Sequence, residues 1–150
     1  MKNEYKKQIE ICVRAVIRDN GRILVCWHKL KRYYFFPGGH VDFAEKTEEA
    51  LVRELKEELD IKVKKLSFIG TVENIYRDRY DKDKHYEINL VFEVIAEKVK
   101  DKSLEDHIDF VFLDKKEFQK EKVLPLALQK NVIKWLKNKK IFWGSQNYIR

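Results

Sequence analysis

Residues Phe36 to Ile61 read FPGGHVDFAEKTEEALVRELKEELDI, and the rest of the chain is organised around this stretch. It opens on Pro37-Gly38-Gly39, which predicts a turn, and continues into a segment with helical periodicity. On a helical wheel Leu51, Val52, Leu55 and Leu59 form one apolar stripe suited to a core. Glu54, Glu57 and Glu58 fall on another arc at i, i+3, i+4 spacing, where side chains are neighbours. Like charges so placed cost an isolated helix about 0.2–0.5 kcal/mol per pair. A helix required only to be soluble would interleave lysines there. Clustered carboxylates instead suit a hard divalent cation, Mg²⁺ ahead of Ca²⁺ or Zn²⁺. Thr47 is the expected N-cap, and Glu48 and Glu49 complement the helix dipole in the first turn without any catalytic role.

The spacing of the stretch carries a resemblance. Gly39, five residues, Glu45, seven residues, then Arg53-Glu54-Leu55-Lys56-Glu57-Glu58-Leu59-Asp60-Ile61 is similar to the Nudix box, G-x5-E-x7-R-E-U-x-E-E-x-G-U with U a bulky aliphatic residue. Asp60 departs from the pattern, standing where the family has its last glycine. Aspartate tolerates the left-handed backbone better than most residues, so the departure bears on the helix exit more than on the carboxylates. An ordinary surface helix, with Arg53 and Lys56 partnering its glutamates, accounts for neither the paired glycines nor the distance to Glu45.

The resemblance implies an α/β fold, a Nudix-type α/β/α sandwich with a mixed β-sheet, and a Mg²⁺-dependent hydrolase, with Mn²⁺ as a substitute ion. The implied substrate is a nucleoside diphosphate linked to another moiety, a nucleoside triphosphate or an ADP-ribose-like molecule. Carried over residue by residue, Glu57 and Glu58 resemble the principal metal ligands, and Glu54 a metal ligand or general base. Gly39 resembles a carbonyl donor to metal, and Arg53 resembles the residue that orients the glutamates. Gly38 and Glu45 support the loop and helix. A further carboxylate from outside the box is expected; Glu87 is the candidate, with Glu73 and Glu93 behind it. The competing reading of Glu87 is a half-exposed strand residue paired with a lysine.

At 150 residues the chain fits a single domain over 1–150, with a core over about 8–139 and an aromatic tail at 141–150. Its net charge of +7 suits anionic partners such as nucleotides, sugar phosphates or RNA. No apolar run suggests a leader or a membrane span, and Cys12 and Cys26 sit in strand-like runs with no metal-binding spacing. A cytoplasmic monomer or homodimer with no membrane partner is the expectation.

The pattern predicts strands at Gln8 to Arg18 and Arg22 to His28 around an Asp19-Asn20-Gly21 turn, and a short aromatic strand from Tyr33 to Phe36. Val63 to Tyr76 reads as one or two strands with a bend at Gly70, and His85 to Lys98 as a long strand. Between them, Tyr76, Arg77, Arg79 and Tyr80 form either a solvated turn or a substrate loop with phosphate forks and stacking rings. A charged loop from Lys100 to Asp106 precedes a strand at Ile108 to Leu113, and Asp114 caps a short helix. Leu124-Pro125 opens a last helix whose core face is Leu124, Leu128, Val132, Trp135 and Leu136, with Lys130, Lys134, Lys137, Lys139 and Lys140 outside. Phe142, Trp143 and Tyr148 suit docking on the domain or on a second subunit.

Besides a hydrolase of small nucleotides, a non-catalytic nucleotide sensor of the same fold, an RNA 5′-end-processing enzyme and an RNA-binding protein are alternatives. Intact Glu54, Glu57 and Glu58 argue against the sensor, and no RNA-binding signature supports RNA binding. His40 stands beside the metal loop, with a surface imidazole as its plain reading.

Overall fold

The computed structural model describes residues 8–80, 82–97, 99 and 106–149. The loop expected from Lys100, the strand end expected at Lys98 and the last tail residue, Arg150, lie outside them. Asn20 and Gly21 both take positive φ (49° and 75°), the combination a two-residue hairpin needs, and join β1 (Ile9–Asp19) to β2 (Arg22–His28). Then come β3 (Tyr33–Phe35), β4 (Gly38–His40), α1 (Thr47–Leu59), β5 (Val63–Arg77), β6 (Lys84–Ala96) and β7 (Ile108–Leu113). The chain continues through α2 (Lys115–Lys120), β8 (Val123–Leu124), α3 (Leu126–Asn138) and β9 (Phe142–Asn147).

The strands form a mixed sheet in the order β8-β3-β2-β1-β6-β5-β9, with β4 also paired to β1 and β7 to β2. β1 runs parallel to β6, while β5 and β6 form an antiparallel hairpin whose register shifts between Phe68 and Gly70. Alternation along β1 sends Val13, Ala15 and Ile17 into a core with Leu51, Leu55 and Leu59 of α1. Val16 instead joins Leu128, Val132 and Trp135 of α3 in a second core on the other face. Each fully buried leucine contributes about 1.5–3 kcal/mol of transfer free energy, so α1 is held by packing although its outer face is crowded with like charge. This is the α/β/α layering the sequence predicts.

Several local expectations are corrected. Gly38 and Gly39 are not a turn but a short strand against Cys12, Val13 and Arg14, and the partner lies too far away in sequence to be read from the glycines. A Cβ on Gly38, at φ 146°, would overlap the Val13 carbonyl oxygen, which is why only glycine fits there. Lys46, not Thr47, is the α1 N-cap, and it makes no side-chain cap. Val52 is exposed at the margin of the stripe, and Ala50 takes its place in the core. Leu124 belongs to β8 and Pro125 precedes α3 as its N-cap residue. Within the tail expected at 141–150, Phe142–Asn147 forms β9 parallel to β5, so this segment docks on the domain as expected. Asp114 does cap α2, through a reciprocal box with Glu117. Asp60 ends α1 in the left-handed conformation at φ 52°, the role of the glycine it replaces. Among the described residues, no helix is long and apolar enough to cross a membrane.

Candidate active site

α1 and β4 meet at Arg53. Its Nε donates to Glu45 Oε2 at 2.8 Å and its Nη2 to Glu45 Oε1 at 2.9 Å. Nη1 donates to Glu54 Oε1 at 3.0 Å and Glu57 Oε2 at 3.3 Å, and Nη2 also reaches the His40 carbonyl at 3.1 Å. One planar guanidinium therefore ties the loop before the helix, the helix itself and β4. These bonds hold the Glu45 carboxyl down to about 2, Arg53 first and the Asp42 backbone N–H second. The Arg53 guanidinium is in turn held still more firmly protonated, chiefly by Glu45.

Arg53 aims Glu54 at Gly39. A Cβ on Gly39 would stand 2.6 Å and 2.7 Å from the two Glu54 carboxylate oxygens, so the glycine leaves the space that carboxylate fills. Gly39, Glu54 and Glu58 line a cavity of about 1090 Å³ together with Glu87, Asn74 and Tyr76. Glu57 does not line it; its side chain is 57% exposed and leans on Arg53. Glu87 is 6% exposed, and no lysine pairs with it among the described residues. Tyr76 donates its hydroxyl to Glu87 at 2.9 Å, and Asn89 Nδ2 lies 3.5 Å away. Burial first, then the Glu87 charge, pushes the Tyr76 hydroxyl well above its ordinary range, so it stays a donor. Glu73 bonds Tyr86 and Ser145 on the opposite sheet face, and Glu93 pairs with Arg18; neither lines the cavity.

Arg77, Arg79 and Tyr80 of the hairpin line the same cavity. Arg77 Nη1 donates to the Lys82 carbonyl at 2.8 Å, while Tyr80 donates to the Lys31 carbonyl at 3.1 Å and carries the Lys31 ammonium 5.0 Å from its ring centroid. His40 bonds Glu10 at 2.9 Å, and Glu10 also bonds His85 at 3.0 Å. Burial raises the Glu10 carboxyl, and the two histidine bonds outweigh it, leaving the group below its usual value. Burial pushes the Cys12 thiol up to about 12, which makes it a packing group rather than a nucleophile.

Sequence reading missed Glu10, Arg14, Asn74 and Gln146. Arg14 had a signal, a cation amid the apolar run of β1; it donates to Asn89 Oδ1 and the Phe36 carbonyl, both at 3.1 Å. The other three are polar residues of unremarkable strands, and only the strand pairing brings them to the site.

Among the described residues, no three His, Cys, Asp or Glu side chains converge into a ready-made cation cage. A Mg²⁺-type ion does not need one, because it takes one or two carboxylates and keeps water and substrate phosphate as its other ligands. The donors at the cavity are hard oxygens, and the space at Gly39 is filled by one of them, so the residues fit such an ion.

A NUDIX domain model matches residues 6–136. The chain is 30% identical over 133 residues to an ADP-ribose pyrophosphatase of Methanocaldococcus jannaschii, covering 83% of this chain and 73% of that protein. It is 30% identical over 79 residues to an 8-oxo-dGTP diphosphatase of Proteus vulgaris, covering 50% of this chain and 70% of that one. Its fold is similar to that of a MutT protein from Bacillus halodurans, with a TM-score of 0.73 at 20% identity over 93% of this chain and 90% of the other. The chain belongs to the NUDIX domain family and is an enzyme of the Nudix pyrophosphohydrolase class.

Proposed function

We propose that the chain hydrolyses a phosphoanhydride bond in a nucleoside diphosphate linked to another moiety, either a nucleoside triphosphate or an ADP-ribose-like molecule. One observation carries this reading: Arg53 fixes Glu54 against Gly39 at the wall of a cavity that Glu58 and Glu87 also line. The relatives named for 8-oxo-dGTP and ADP-ribose support the substrate class.

The Gly39 carbonyl with Glu54, Glu58 and Glu87 at the cavity would hold Mg²⁺, or Mn²⁺ in its place, and Glu57 would join them by turning from its contact with Arg53. The ion supplies charge neutralisation of the pyrophosphate and acidification of water. Glu54, oriented by Arg53, accepts the proton as a water oxygen bonds to phosphorus and the bridging P–O bond breaks. Arg77 and Arg79 bind the phosphates, and Tyr76 holds Glu87 in place by its hydrogen bond. Residues 1–150 act as one domain, as a monomer or homodimer. Two buried free cysteines fit a reducing cytoplasm.

The test is a panel of nucleoside triphosphates, ADP-ribose and dinucleoside polyphosphates, with and without Mg²⁺, scored by phosphate and pyrophosphate release. Glu57→Gln and Glu58→Gln should each lower turnover by orders of magnitude in a folded protein. No release from any substrate at saturating Mg²⁺ would sink the proposal.

A further inference from the structure

The sheet floor of the cavity holds a polar side chain with an unmet bond. Asn74 lines the cavity at 6% exposure, and its Oδ1 is buried without a hydrogen-bond partner among the described residues. A buried acceptor left unpaired destabilises a fold, and native proteins keep few of them.

Strand pairing shows what surrounds it. Asn74 of β5 is in register with Glu87 of β6 on one side and Gln146 of β9 on the other. Gln146 Oε1 accepts the Ala127 N–H at 2.7 Å, at the start of α3, which fixes the amide and leaves its NH₂ group as a donor. Gln146 lines the cavity, and so does Tyr148 two residues on, at the same parity of the strand direction. The wall thus offers an acceptor and a donor from Asn74, a donor from Gln146 and an aromatic ring.

An ionised phosphate has no hydrogen to give, so Asn74 Oδ1 is not a phosphate contact. A nucleobase edge sets donors beside acceptors, and its faces stack on aromatic rings. We infer that Asn74 and Gln146 read the edge of the substrate's nucleobase while Tyr148 stacks on its face. The inference rests on the cavity being the nucleotide site of the proposed hydrolase, and it names the residues that set base preference there.

Equilibrium binding by calorimetry tests it, with AMP, GMP, CMP, UMP and ribose 5-phosphate as probes. At least one nucleotide should bind the wild type tenfold or more tightly than ribose 5-phosphate. Asn74→Leu should shrink that advantage to less than threefold. Asn74→Asp, which keeps the shape and replaces the donor with an acceptor, should change which base is preferred; thermal melts establish that each variant is folded. If the nucleotide advantage survives in both folded variants, or is absent from the wild type, the inference is wrong. Pyrophosphohydrolysis without a base advantage defeats the inference alone. A base advantage without hydrolysis of any substrate defeats the proposed reaction and leaves the subsite standing.

Discussion

Arg53 grips Glu45 with two parallel hydrogen bonds, Nε to Oε2 at 2.8 Å and Nη2 to Oε1 at 2.9 Å, across eight residues of chain. The same guanidinium reaches Glu54, Glu57 and the His40 carbonyl, so its planar fork sets the geometry of the site. Lysine keeps the charge but is a point donor. Arg53→Lys should fold and lose about 10–100-fold in kcat, the usual cost of removing a partner that orients ligands. Steady-state kinetics beside a thermal melt checks it; wild-type kcat would deny Arg53 a positioning role.

The Glu45 end of this pair gives a pH signature. Its carboxyl sits at about 2 in the fold against an ordinary 4.5. A depressed native value adds stability that is present above the unfolded value and lost as pH falls from 4.5 through about 2. Glu45→Gln should therefore be less stable than wild type at neutral pH, with the difference closing across that acid window. Urea titrations at several pH values measure it, and a difference independent of pH contradicts it.

Gly39 and Gly38 should respond differently to alanine. At Gly39 the atoms nearest the new Cβ are those of the Glu54 carboxylate, the far end of a flexible side chain that can swing aside. Gly39→Ala should melt close to wild type and lose most of its turnover, because the displaced group is the proposed proton acceptor. Gly38→Ala meets the Val13 backbone and should not fold stably. Calorimetric melts and kcat separate the two outcomes; an active Gly39→Ala enzyme would remove Glu54 from the reaction.

Glu10 lies outside the motif, yet it bridges His40, next to Gly39, and His85, whose ring stacks on Tyr76 at 5.1 Å. Tyr76 in turn bonds Glu87, so one chain of contacts links the two walls of the cavity. Glu10→Ala should lower kcat by about tenfold. Glu10→Gln should recover most of it, since an amide can accept from one imidazole and donate to the other. Equal loss in both variants would assign the effect to charge instead of position.

What could be read from sequence was what local spacing encodes. The box, its helix, the Asn20-Gly21 hairpin and the Asp114 cap all follow from residues within a few positions of one another. Gly38-Gly39 looked like a turn because its strand partner, Cys12 to Arg14, is remote in sequence. Val52 met the helical period but lies at the edge of the buried stripe, a distinction periodicity does not draw. Asn74 and Glu10 carry no local mark; β5 paired with β9 and β1 with β6 give them their place. The contacts of the helix carboxylates with Arg53 were legible, and the wall that holds Asn74 and Gln146 was not.

β9 is where that wall is most exposed to test. Its Phe142 ring lies over Gly70 so closely that a Cβ there would stand 2.6 Å from Cγ. The ring is packed against the α3 core, so it has little room to retreat. Gly70→Ala should cost about 1–3 kcal/mol, the range for overpacking a filled core. If β9 is pushed off β5, Gln146 loses its register with Asn74. The variant should then bind nucleotides and ribose 5-phosphate more nearly alike, while Arg53 and Glu54 remain on the far side of β1 and β6 from the change. Denaturant melts and calorimetry on the same sample decide it: lower stability with an unchanged base preference would separate β9 from recognition and leave it only a structural strand.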